Sequence, residues 1–220
     1  TGDIVFTTLN HVPSYLIMIT TWSESTHVAI AVWISEKGIK NKKLDILPRQ
    51  EDGAELCLLE MSHQKSLDFR YFTPKKDCII IPFNDSKKRL IRAKYRQLNR
   101  NISDQEVVKK IYNFIDNEKD TKFSLGVRQA MNIFFNIGKV DHSQPYPDET
   151  CVSFVVKWLT LNGYEFDQNV PYRSRHLYSP DHLLETFNKS PVLAQTRDLH
   201  VPKKPMVGWL QILTVILFVV

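Results

Sequence analysis

The chain has 220 residues, 43% of them apolar, with a formal charge of +5 and a pI near 9.0. That is enough apolar material for one full-sized core, so one domain is the simplest reading. The charge is mild and no nucleic-acid motif accompanies it, which disfavours nucleic acid as a partner. Three cysteines with no Cys-x-x-Cys pair cannot form a disulfide framework and point to a reducing compartment. Zinc-ligand spacings, a His-Glu-x-x-His motif and a phosphate-cradling glycine loop are all missing, so neither a metal nor another cofactor is expected.

In chain order, Gly2-Asp3 followed by Ile4-Val5-Phe6 reads as a turn entering a short strand, while residues 14–22 are apolar but ambiguous between helix and strand. His27 to Ile34 is a clear strand. Alternation puts His27, Ala29, Ala31 and Trp33 on one face and Val28, Ile30, Val32 and Ile34 on the other. Residues 37–53 read as a polar loop punctuated by glycine and proline. A second strand closes on Glu60, with Leu56, Leu58, Glu60 and Ser62 sharing a face, and a third spans Cys78 to Phe83, its proline suggesting a strand end or an edge.

Helices are expected from there on. The basic stretch Lys87 to Arg100 places Leu90, Ile91, Tyr95 and Leu98 on roughly one helical face, a surface helix with a solvated basic side. Ser103-Asp104-Gln105-Glu106 is a capping box ahead of Val107, Val108, Ile111, Phe114 and Ile115. Leu125 to Ile137 forms another helix, stopped by Gly138, and a further one opens at Cys151 and ends at Asn162-Gly163. Ser179-Pro180-Asp181-His182 has the cap, proline and acidic first turn of a helix start. Strands followed by helices predict an α+β domain over residues 1–200.

Residues 201–220 form an apolar tail with no charge from Met206 to Val220. The run falls short of the roughly 20 residues that span a bilayer as a helix. Lys203-Lys204 and Trp209 resemble the flank of a membrane segment, so a membrane anchor is expected, with a buried terminal element as the alternative. A cytoplasmic-facing location, membrane-associated through residues 206–220, is the expectation.

Three residues stand in segments suited to thiol chemistry: His27 in a strand, Glu60 near the end of another, and Cys151 at a helix start. A thiol, an imidazole and a carboxylate are the parts of a nucleophile, base and orienter. The positive end of a helix dipole favours a thiolate, although Asp148 and Glu149 oppose it. Cys57 and Cys78, inside apolar strands, read as small buried hydrophobes. Among the seven histidines, a strand position holds His27 better than loops hold His11, His63, His142, His176 or His200, while His182 sits near a helix cap. His142, shortly before Cys151, is the alternative base.

Gly2-Asp3-Ile4-Val5-Phe6, Ser25-Thr26-His27-Val28-Ala29-Ile30, Leu58-Leu59-Glu60 and Thr150-Cys151-Val152-Ser153 occur in an order that carries a family likeness, with Ser179-Pro180-Asp181-His182 as a later helix start. In that order the chain resembles the circularly permuted papain-like cysteine hydrolases of the NlpC type. These include YiiX/YebB-like and poxviral proteins and, more distantly, lecithin:retinol acyltransferase relatives. The resemblance covers about residues 2–187. Where the family often has Tyr-Cys-Ser-Glu, this chain has Thr150 before the cysteine and Val152 after it.

The resemblance implies a small antiparallel sheet or half-barrel packed against a helical layer that carries the nucleophile. It also implies Cys151, His27 and Glu60 as catalytic residues acting on an amide, ester or thioester, in a peptide-like or lipid acyl substrate. A catalytically silent scaffold serving as a membrane-tethered interaction protein is the competing function.

Overall fold

The structure is a computed structural model that describes residues 1–9, 25–61, 72–75, 78–86, 90–100, 102–118, 150–164, 179–189 and 193–201. Its centre is the pair of strands β1 (Ile4–Leu9) and β2 (His27–Ile34), antiparallel, with Ile4 opposite Ile30 and Thr7 opposite His27. Every residue of β2 is buried, and its run of valine, alanine and isoleucine suits a strand covered on both faces. The remaining strands are β3 (Ile46–Leu47), β4 (Glu55–Met61), β5 (Phe72–Lys75), β6 (Cys78–Pro82), β7 (Leu90–Leu98) and β8 (Leu193–Asp198). They line up as β5-β6-β4-β2-β1-β7-β8, with β3 paired to β2, and every pairing is antiparallel. Among the described strands the sheet stays open. With helices α1 (Glu36–Asn41), α2 (Phe83–Ser86), α3 (Asp104–Glu118), α4 (Cys151–Leu161) and α5 (Pro180–Lys189), the fold is of the expected α+β class.

Strand alternation divides the sheet into two faces. On one, Ile4, Phe6, Val28, Ile30 and Leu59 form a continuous core with Ile111 and Phe114 of α3 and Phe154, Val155 and Trp158 of α4. Phe114 lies 4.8 Å from Phe154 and 5.4 Å from Trp158, centroid to centroid, at tilted angles. Such aromatic pairs add about 0.5–1.5 kcal/mol each beyond their area burial. On the other face, Val5, Ala29, Ala31, Leu58 and Ala93 make a second cluster with Trp33, Phe83 and Tyr95.

The opening Gly2-Asp3 pair ties these layers together. Trp158 Nε1 of α4 donates to the Gly2 carbonyl at 3.0 Å. Gly2 sits at φ +82°, and a Cβ there would stand 3.0 Å from Val107 Cγ1 and 3.1 Å from Trp158. Both the left-handed backbone and the close approach therefore require glycine. Buried Asp3 accepts the Leu98 N–H at 3.0 Å, the Tyr95 hydroxyl and the Arg100 guanidinium, so one carboxylate clamps β1 to the end of β7.

Two expectations need correction. The basic stretch expected as a surface helix is strand β7, held between β1 and β8. A bulge at Thr8/Leu9 pairs Leu9 with Leu90 and Thr8 with Arg92, leaving Ile91 over. That extra residue breaks the two-residue alternation and mimics a helical spacing. Residues 37–53, expected as a loop, contribute most of α1 and the short β3. Ser35 caps α1 by accepting the Gly38 N–H at 2.9 Å. Pro82 ends β6, as expected of a strand end, but β6 is internal, between β4 and β5. The expectations for residues 14–22, the 125–137 helix and the 206–220 tail lie outside the described residues. No helix among those described is long and apolar enough to cross a membrane.

Candidate active site

His27 opens β2 and Glu60 lies one residue from the end of β4. Ile30 pairs with Leu59 in the antiparallel register, which sets Glu60 across from Ala29 and one diagonal step from His27 on the same face. His27 Nε2 and Glu60 Oε2 are 2.8 Å apart. Both residues are largely buried, at 9% and 5% exposure. A buried carboxylate and imidazole at this distance form a charge-assisted hydrogen bond.

Cys151 is the first residue of α4 and is half-buried. Alternation assigns His27 to the sheet face opposite the helices, so the two can meet only where β2 begins. They do meet there: the Cys151 thiol lies within hydrogen-bonding reach of the His27 ring. Since Glu60 occupies Nε2, Nδ1 is the ring nitrogen left for the sulfur. Burial of the ring opposes its charged form. The Glu60 carboxylate and the charge and hydrogen bond of Cys151 outweigh that cost and hold the imidazole well above its usual pKa of 6.5.

The start of α4 is fixed by a reciprocal cap. Ser153 N–H donates to Thr150 Oγ1 at 3.0 Å, and Thr150 N–H donates to Ser153 Oγ at 2.7 Å. Thr150 and Ser153 therefore pin the backbone on either side of the cysteine. The Phe154 N–H is taken by the Thr150 carbonyl. Among the described residues this leaves the amides of Cys151 and Val152 as the open donors at the positive end of the helix. A second strut holds the histidine: Asp181 Oδ1, in the first turn of α5, accepts the Ser25 N–H at 3.3 Å, two residues before His27.

The other two cysteines behave as expected. Cys57 and Cys78 are fully buried, and burial pushes the Cys57 thiol far up and the Cys78 thiol up to about 12. Neither supplies a thiolate near neutral pH. His200 is exposed on the chain after β8. His182 caps α5, accepting the Ser179 N–H on Nδ1 at 3.4 Å. His11, His63, His142 and His176 lie outside the described residues.

Sequence reasoning brought together the histidine, the glutamate and the cysteine but missed the struts around them. Thr150-x-x-Ser153 has the capping-box spacing with serine in place of the usual Glu or Gln, a signal that could have been used. The Asp181–Ser25 bond joins segments 156 residues apart and leaves no local trace.

No family model matches the chain, and no curated protein matches it. Among solved structures it is similar to the metalloprotein YiiX from Escherichia coli O157:H7. That likeness has 12% identity and a TM-score of 0.46, and it covers 93% of this chain and 98% of that one. At that level the likeness carries no argument about chemistry. Among the described residues, no group of three or more His, Cys, Asp or Glu side chains is arranged to hold a metal ion.

Proposed function

We propose that this protein is a cysteine hydrolase or acyltransferase of the permuted papain-like kind. Its nucleophile is Cys151, its base is His27 and its orienter is Glu60. One observation carries the reading: a single buried imidazole bonds a carboxylate through one nitrogen and reaches a helix-start thiol with the rest of its ring.

The chemistry follows from the placement. His27 takes the Cys151 proton, and Glu60 stabilises the imidazolium that results. The thiolate attacks the carbonyl carbon of an amide, ester or thioester, and the oxygen's negative charge develops toward the open Cys151 and Val152 amides. When the C–N, C–O or C–S bond breaks, His27 returns its proton to the leaving group and a thioester remains on Cys151. Water or another acceptor then gives its proton to His27 and attacks the thioester, freeing the sulfur. The substrate is a peptide-like amide or a lipid acyl ester, and the apolar 206–220 segment favours one presented at a membrane surface.

Replacing Cys151 by Ala tests the proposal. With an activated acyl ester as substrate, turnover should fall by roughly 10⁴-fold or more while the circular dichroism spectrum and melting temperature hold. Undiminished turnover in a folded Cys151→Ala protein would reject catalysis and return the chain to the scaffold reading.

A further inference from the structure

Thr7 raises a question that the triad does not answer. Its hydroxyl is buried, at 1% exposure for the residue, and finds no hydrogen-bond partner among the described residues. A buried hydroxyl without a partner is costly and uncommon in a native core unless an ordered water or a ligand group satisfies it. Thr7 stands directly opposite His27 across the β1–β2 pair, so the two side chains share a face. Directly opposed residues in an antiparallel pair hold their Cβ atoms roughly 4.5–5.5 Å apart, which makes the hydroxyl and the imidazole immediate neighbours.

The residues beside Thr7 on this face are small. On its other side Thr7 pairs with Ala93, and its neighbour across β2 on the diagonal is Ala29. Ala93 also lines a cavity of about 630 Å³ on the β7 side, bordered by Leu199 and Val201. Glu60 holds the ring from the β4 side, so Thr7 faces it from the other.

We infer that the Thr7 hydroxyl and His27 together hold the water molecule that resolves the acyl-enzyme. This rests on the proposed thiol chemistry and adds the acyl acceptor to it. The Thr7 oxygen hydrogen-bonds the water and His27 takes its proton. The water oxygen forms a bond to the thioester carbonyl carbon, the C–S bond breaks, and Cys151 leaves as the thiolate with a carboxylic acid as product. Thr7 acts in the second half-reaction alone.

p-Nitrophenyl acetate separates the two halves on the full-length protein. The nitrophenolate burst reports acetylation of Cys151, and the steady-state rate reports hydrolysis of the thioester. Thr7→Val should leave the burst rate within about twofold and slow the steady state by roughly tenfold, the worth of one hydrogen bond to the reacting water. Acetyl-Cys151 should then accumulate in the intact mass spectrum, and Thr7→Ser should restore turnover. Valine matches threonine in shape and removes the unpaired hydroxyl, so the variant should melt no lower than the parent. An unchanged steady state in Thr7→Val, or a burst that falls in step with it, overturns the inference and leaves the triad standing. Absence of both burst and acetyl-Cys151 in the unaltered protein overturns the triad as well.

Discussion

The two faces of the sheet are built to different rules. The face against α3 and α4 carries Ile4, Phe6, Val28, Ile30 and Leu59 and meets aromatic side chains from both helices. The opposite face has its own apolar cluster around Leu58, Trp33 and Phe83, but near the start of β2 it carries His27, Glu60, Thr7, Ala29 and Ala93, which are small or polar residues. The first face stabilises the fold through apolar area and close packing. The second spends buried positions on groups that cost free energy unless they are paired. The groups proposed to react gather at the strand end where helix and sheet can meet.

The comparison breaks most readily on the helix side. Phe154→Ala should cost about 3–5 kcal/mol of stability, read by urea unfolding, because it opens a cavity beside Phe114 in a fully buried cluster. Activity should fall only as far as the folded fraction does. On the other face the balance reverses: Glu60→Gln should lower turnover by about 10²–10⁴-fold, as loss of an orienting carboxylate does, while leaving the fold intact at neutral pH.

The same pair sets a pH dependence. His27 has its folded pKa raised above 6.5, so the native state holds this proton more tightly than the unfolded chain. Its contribution to stability is complete below about pH 6.5 and is lost as pH rises through the folded value. Urea midpoints measured upward from pH 6.5 should decline for the parent protein, and Glu60→Gln should flatten that decline. The smallest effect belongs to the helix start. Thr150→Ala should cost about 1 kcal/mol by removing the cap, and it should slow turnover through the loosened Cys151 backbone.

Those differences also explain what could be read in advance. His27, Glu60 and Cys151 were legible because each sits in an element with a clear local pattern: an alternating strand, a strand end and a helix start. The α+β class was legible for the same reason. β7 was not, because the bulge at Ile91 set two apolar residues side by side and hid the alternation that Ala93 and Tyr95 keep. β8 was missed because its pairing with β7 is a long-range contact and its sequence, Leu193 to Asp198, has no apolar period. Thr7 gave no warning, since a threonine in a strand is an ordinary β-former until its neighbours are known. Long-range relations of this kind, Asp181 with Ser25 and Thr7 with His27, appear only once the chain is folded.

The central claim is that one thiol of three is set apart by the imidazole beside it. Timed alkylation of the native protein with iodoacetamide at neutral pH, followed by peptide mapping, tests it most directly. The account predicts modification confined to Cys151, slowed at least roughly tenfold in a folded His27→Ala protein, as loss of an activating imidazolium requires. Modification of Cys57 or Cys78 ahead of Cys151, or a Cys151 rate indifferent to His27, would contradict it.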